Sequence, residues 1–192
     1  MKKRLSLIAM AILCPALLLS ACSGGESRRE PQTPAPQENQ SEKAGKRVYF
    51  AGPLFNQAEK DFNARLAKVL EDHGYQVFLP QRDGIEAALL EGKTEEELVD
   101  MIFSLDAGEV KKADILFMNL DGRVPDEGAC VELGIAYASG KRCYGFKTDT
   151  RSVELGLDLN PMIAGCMTRI FHNFDGDKLI GEIEEYLSKN EL

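Results

Sequence analysis

From residue 47 onward the apolar positions follow two rhythms in turn. Short apolar runs recur at "RVYFAG" (47–52), "YQVFLP" (75–80), "ADILFMNL" (113–120), "KRCYGF" (141–146) and "MTRIFHNF" (167–174). Runs of this length, bounded by Gly, Pro or polar turns, predict strands, and the continuous run at 113–120 predicts a strand covered on both faces. Stretches of helical period lie between them. "NQAEKDFNARLAKVLEDHG" opens with Asn56 and Glu59 in capping-box spacing, sets Phe62, Leu66, Val69 and Leu70 on one face, and stops at Gly74. A loop rich in Gly and charge (81–93) leads to Thr94 and Glu97, a second capping box. The helix after it carries Leu98, Met101, Ile102 and Leu105 on one face. "DEGACVELGIAYASGK" (126–141) reads as a third helix, and "DKLIGEIEEYLSK" closes the chain after a long polar loop. Strict alternation of strand and helix predicts an α/β fold, with a parallel sheet covered on both sides. About five strands in this length suggest one doubly wound, flavodoxin-like domain.

Ligands of such sheets bind beyond the carboxyl ends of the strands. A site is therefore expected near Gly52–Asn56, Gln81–Asp83, Asn119–Asp126 and Lys147–Arg151. "AGPLFN" after the first strand has one glycine, so a Rossmann-type nucleotide turn is not expected, and no cofactor is implied.

Three carboxylates interrupt the apolar pattern. Glu132 has Gly128, Ala129, Ile135 and Ala136 as its helical neighbours, a face of small and greasy side chains. Asp106 lies four residues from both Ile102 and Val110, which turns it coreward if the helix runs unbroken through Gly108. Asp126 follows the third strand. Each has a structural reading: an ion pair with Arg or Lys for Glu132, a solvated helix end for Asp106, an N-cap for Asp126. Converging on one cleft, they suit chemistry at an acetal-like carbon, where one carboxylate attacks and another manages the leaving group's proton.

Composition narrows the setting. "MKKRLSLIAMAILCPALLLSAC" has a basic start, an apolar run from Leu5 to Leu19 and small residues at its end, the layout of a secretory signal. Leu19-Ser20-Ala21-Cys22 resembles the bacterial lipoprotein signal, in which Cys22 becomes the acylated first residue; an ordinary cleaved signal with a chance cysteine is the alternative. Lipid on Cys22 would hold the protein at a membrane of the cell envelope without spanning it. Ser23 favours outer-membrane sorting. Residues 22–45, rich in Pro, Gln, Glu and Ser, predict a lipidated, disordered tether after a signal at 1–21, and 46–192 is the folded domain. The net charge is −8; the signal contributes +3, which leaves −11 on 23–192 and argues against nucleic-acid polymers as partners. Of five cysteines, Cys130, Cys143 and Cys166 fall in the domain, and buried free thiols are expected, with one disulfide and a leftover as the alternative. The two histidines, His73 and His172, have no metal spacing, and no metal site is expected.

"YFAGPLFN", Asp106 eight residues before Asp114, "DEGACVELG" and "NPM" together resemble the nucleoside 2-deoxyribosyltransferase family, in the right order over most of 47–165. The resemblance implies a catalytic set of Glu132, Asp106 and Tyr49. Glu132 would attack the anomeric carbon of a 2-deoxynucleoside, Tyr49 hydrogen-bond that nucleophile, and Asp106 contact the base and handle its proton. It implies that Asp126 binds the deoxyribose hydroxyl, with Gly52, Phe55 and Gly128 of the same motifs lining the substrate. Asn160 and Met162 would reach a neighbouring subunit's site, so a homo-oligomer acting on a 2-deoxynucleoside and a free nucleobase is expected. The ionised form of Glu132 is expected to be favoured by the nearby helix N-terminus and the tyrosine donor. The leader, the tether and the loop at 81–93 depart from the family. Three readings follow: deoxyribosyl transfer through a covalent intermediate with retention, N-glycoside hydrolysis of a nucleoside or nucleotide, and a non-catalytic nucleoside-binding lipoprotein.

Overall fold

A computed structural model describes residues 45–151 and 157–192. The signal, nearly all of the tether and Cys22 lie outside the described residues. The first strand, β1 (Arg47–Ala51), is followed by α1 (Gln57–Asp72), β2 (Gln76–Phe78), two single-turn helices, α2 (Pro80–Asp83) and α3 (Ala87–Leu90), and α4 (Glu95–Lys112). Then come β3 (Ile115–Asn119), α5 (Glu127–Ala138), β4 (Arg142–Lys147), α6 (Pro161–Cys166), β5 (Arg169–His172) and α7 (Gly176–Lys189). The five strands form one sheet in the order β2-β1-β3-β4-β5, and every pairing is parallel. This is the flavodoxin-like order, whose direction reverses between β1 and β3.

Local chemistry explains the elements. Both capping boxes form: Asn56 accepts from the Glu59 amide and Thr94 from the Glu97 amide, each glutamate reaching back to its cap. Leu66, Val69 and Leu70 are buried as the stripe predicts, and with Leu179, Ile183 and Leu187 of α7 they cover one sheet face through Val48, Phe50, Phe117 and Phe146. The other face presents Tyr49, Leu116, Met118 and Cys143 to Val110 of α4 and Leu133 and Ala136 of α5. All five residues of β3 are buried, as a strand covered on both sides must be.

The structure departs from the sequence expectation in three places. The loop at 81–93 holds all but the first residue of α2 and the whole of α3, and α6 interrupts the polar loop before β5. Helix α4 buries Ala107, Glu109 and Val110, but its predicted apolar face is only partly covered: Ile102 is exposed, as are its neighbours Val99 and Phe103. Helical period reports where apolar residues line up, and within one chain the sheet reaches only the last turns of α4. The three cysteines are free thiols, Cys143 buried and the other two half-buried.

Candidate active site

Tyr49 points from β1 toward the α4–α5 layer and is fully buried. Phe78 of β2 stacks on its ring at 5.5 Å between centroids, which fixes the phenol's direction. The Tyr49 hydroxyl donates to Glu132 Oε1 at 2.6 Å. Among the described residues no lysine or arginine pairs with Glu132, so the ion-pair reading of this carboxylate does not hold. Asp106 interacts with the same hydroxyl from α4, which is continuous through Gly108 and leaves the aspartate half-buried. Three groups from a strand and two helices thus meet at one phenolic oxygen.

Their acidity follows from burial. Burial pushes the Glu132 carboxyl up from its ordinary 4.5 to about 7; the Tyr49 hydrogen bond opposes this, and the Asp106 and Asp126 charges add to it. The helix N-terminus and tyrosine donor that favour the anion are outweighed. Burial also raises Asp106, with the Tyr49 bond again opposing. The Tyr49 phenol is pushed far up, by burial first and then by the Glu132 charge, so it remains a donor. The two raised carboxyls are coupled, because negative charge on Asp106 disfavours negative charge on Glu132.

A cavity of about 430 Å³ opens between α4 and α5, walled by Leu98, Val99, Ile102, Phe103, Val131 and Ile135, with Glu95, Asp106 and Glu132 as the carboxylates that line it. Such a mostly apolar cleft with a few convergent polar groups suits a small ligand. Gly128 lines the same cavity. Asp126 caps α5, its side chain accepting from the Ala129 amide at 2.8 Å, as the N-cap reading has it. Gly52, Phe55, Asn160 and Met162 do not line the cavity. Gly52 sits at the end of β1, Phe55 and Met162 are exposed, and Asn160 caps α6 through the Met162 amide. The cavity therefore lies on the α4–α5 face below the four loop stretches that the strand ends suggest, because Tyr49 precedes the end of β1 by two residues and Glu132 is in the second turn of α5. In the last of those stretches, Lys147 is buried and donates to the Arg151 and Asp158 carbonyls, while Arg151 pairs with Asp149. Among the described residues no cluster of His, Cys, Asp or Glu is arranged to hold a metal ion.

Phe78 was not legible as part of the site, since nothing in "YQVFLP" marks it. Asn63 also escaped, since it stands between Asp61 and Arg65 like any polar helix residue, whereas Asn119, the one amide in "ADILFMNL", begins a stretch expected near the site.

The fold and site together define a doubly wound α/β domain with a carboxylate pair in an apolar cleft beside the switch point of its sheet. A family model of the nucleoside 2-deoxyribosyltransferases matches residues 48–176. The chain belongs to that family, whose members act on N-glycosidic bonds with nucleoside and nucleobase substrates. Among solved structures it is similar to a 2-deoxyribosyltransferase from the psychrotolerant bacterium Bacillus psychrosaccharolyticus, at 26% identity and a TM-score of 0.59 over 73% of this chain and 91% of that one. It is equally similar to a conserved protein from Enterococcus faecalis V583, at 26% identity and a TM-score of 0.58 over 74% of this chain and 99% of that one. The solution structure of BlsM shares the fold, at 22% identity and a TM-score of 0.53 over 75% of this chain and 90% of that one. No curated protein matches the chain.

Proposed function

We propose that this protein transfers a 2-deoxyribosyl group between nucleobases through a covalent deoxyribosyl–Glu132 intermediate, with retention of configuration. The observation that carries this reading is the Glu132 carboxylate, half-buried without a cation, held by Tyr49 and beside a second raised carboxyl. Ionised Glu132 attacks C1 of the sugar while the C1–N bond breaks and its electron pair leaves with the base. Protonated Asp106 gives its proton to that base. A second base then attacks C1 from the side the first one left, the ester bond returns its electrons to Glu132, and the incoming base's proton passes to Asp106. Two inversions give retention. The missing 2-hydroxyl eases the oxocarbenium-like state, and the nearby anion stabilises it. Asp126, Gly52, Phe55 and Gly128 are assigned to the sugar and base.

The test is chromatography of the purified protein with deoxyinosine, with and without adenine. Deoxyadenosine formed only when adenine is present supports transfer. Hypoxanthine released at one rate in both mixtures makes water the acceptor and the protein a hydrolase. Nucleoside binding with no product makes it a binding protein.

The pH dependence carries its own prediction. Activity needs ionised Glu132 together with protonated Asp106, so kcat/KM should rise on an acid limb as Glu132 ionises, through about 7, and fall again where Asp106 loses its proton. Tyr49 opposes the burial shift, so Tyr49→Phe should lower the rate and move the acid limb to higher pH. A pH–rate profile of both proteins checks this; an unmoved limb would separate Tyr49 from the nucleophile's ionisation.

We also assign the protein to a homo-oligomer, with Asn160 and Met162 of one copy completing the site of the next, and to the cell envelope through lipid on Cys22. The exposed Met162 and the partly uncovered apolar side of α4 support the first assignment. Light scattering should give a multiple of the monomer mass, with Met162→Glu weakening activity and assembly together. A monomer with full activity removes the role given to Asn160 and Met162.

A further inference from the structure

At the carboxyl edge of the sheet, two buried amides form a string of hydrogen bonds whose direction is dictated at both ends. It starts from a main-chain donor, the Asp121 N–H, which donates to Asn119 Oδ1 at 2.9 Å. The other end of that amide, Asn119 Nδ2, donates to Asn63 Oδ1 at 2.9 Å. Asn63 Nδ2 in turn donates to the Pro53 carbonyl at 2.8 Å and reaches Gln81 Oε1 at 3.4 Å. A main-chain N–H can only donate and a carbonyl can only accept, so neither asparagine can be reversed without breaking the string. Both are 2% exposed.

The string joins every loop at this edge from β2 to β4. Gln81 follows β2, and its Nε2 donates to the Lys60 carbonyl of α1. Pro53 follows β1. Beyond β3, the Asp121 carboxylate accepts from the Thr148 and Asp149 amides that follow β4. The turn after β1 is pressed against this string: a Cβ at Gly52 would stand 2.6 Å from Asn119 Cβ, so only glycine fits. Buried amides are a poor source of net stability, because apolar groups of the same shape often serve as well. What they add is a fixed position for the Pro53 carbonyl and hence for Gly52 and Phe55 on either side of it.

We infer that Asn63 and Asn119 are positioning residues for the reaction, holding the Gly52–Phe55 turn in register with the nucleophile. The inference rests on the proposed assignment of that turn to the substrate.

Asn63→Asp is close to isosteric and tests it directly. With its carboxyl protonated, the aspartate offers one donor for Pro53 and one acceptor for Asn119. Ionised, it sets a negative oxygen against the Pro53 carbonyl and Gln81 Oε1. The charged group within the string itself is Asp121, which disfavours that ionisation further. The ratio of variant to wild-type kcat/KM, taken per folded molecule, should stay near one at pH 5 and fall by about tenfold or more by pH 8. The ionisation of Glu132 is common to both proteins and cancels. The paired variant Asn63→Leu with Asn119→Leu should keep a cooperative melt and lose activity by a similar factor. A flat ratio across pH, or an apolar pair with wild-type kcat/KM per folded molecule, overturns the inference and leaves the amides a structural role. If the wild-type protein turns over no deoxynucleoside, the functional reading fails separately. Deoxyinosine affinity by calorimetry then reads the same pH ratio, and a flat affinity ratio overturns the inference on that footing too.

Discussion

Glu132→Gln is expected to abolish transfer, lowering kcat/KM by about 10³-fold or more, and to make the folded protein more stable at pH 8. The two effects have one cause. Burial raises the Glu132 carboxyl from 4.5 to about 7, so the folded chain binds its proton more tightly than the unfolded chain does. A raised carboxyl favours the fold at low pH; stability falls as pH rises from about 4.5 and reaches its lower plateau above about 7. At about 1.4 kcal/mol per pH unit the ceiling on this loss is about 3.5 kcal/mol, reduced by the solvent that reaches a half-buried side chain. Glutamine keeps an oxygen for the Tyr49 hydroxyl and never ionises, so it escapes the loss. Melting curves should separate variant from wild type at pH 8 and bring them together near pH 5. Mass spectrometry should find a deoxyribosyl adduct on the wild-type chain and none on the variant. Undiminished turnover would remove Glu132 from the nucleophile's role. Inactivity without the pH-dependent gain in stability would mean that its ionised form is not the strained one.

Asp106→Asn is the second large effect, and its signature lies in the choice of substrate. Without the acid, a departing purine must leave as an anion, and the loss on deoxyinosine should be about 10²–10⁴-fold. A 2-deoxyriboside of 4-nitrophenol needs no proton to lose its aglycone. The same variant should release nitrophenol with a much smaller deficit, because Glu132 and Tyr49 are intact. Equal losses on both substrates would mean that Asp106 serves the sugar or the nucleophile rather than the leaving group. The asparagine also removes a negative neighbour that raises Glu132, so the acid limb of the variant should move to lower pH.

These expectations rest on features whose legibility in the sequence differed. Parallel topology was legible because each apolar run alternates with a capped amphipathic stretch, and the boxes at Asn56–Glu59 and Thr94–Glu97 form as spaced. Glu132 stood out because a carboxylate among Gly, Ala and Ile has few ordinary explanations. The direction of its acidity was not legible. Tyr49 and the helix N-terminus can be placed from the sequence, whereas depth beneath two helices and the nearness of Asp106 exist only once the layers are packed. The coverage of α4 was illegible for the converse reason: Leu98, Met101, Ile102 and Leu105 define a face, but not what meets it. Asn63 and Asn119 are 56 residues apart, and neither suggests the other until α1 packs against the end of β3.

The meeting of Tyr49 and Glu132 has a consequence for how the protein acquires its chemistry. The two residues are 83 apart in sequence, and Asp106 arrives on a third segment between them. No hairpin, single helix or strand-helix unit contains the reacting set. Neighbouring parallel strands must first be brought together across long connections, the slow kind of contact in folding. During synthesis or refolding, helix content should therefore return well before turnover, with no early burst of activity. A chain cut anywhere between β1 and α5 separates Tyr49 from Glu132, so neither fragment by itself should match the turnover of the intact chain.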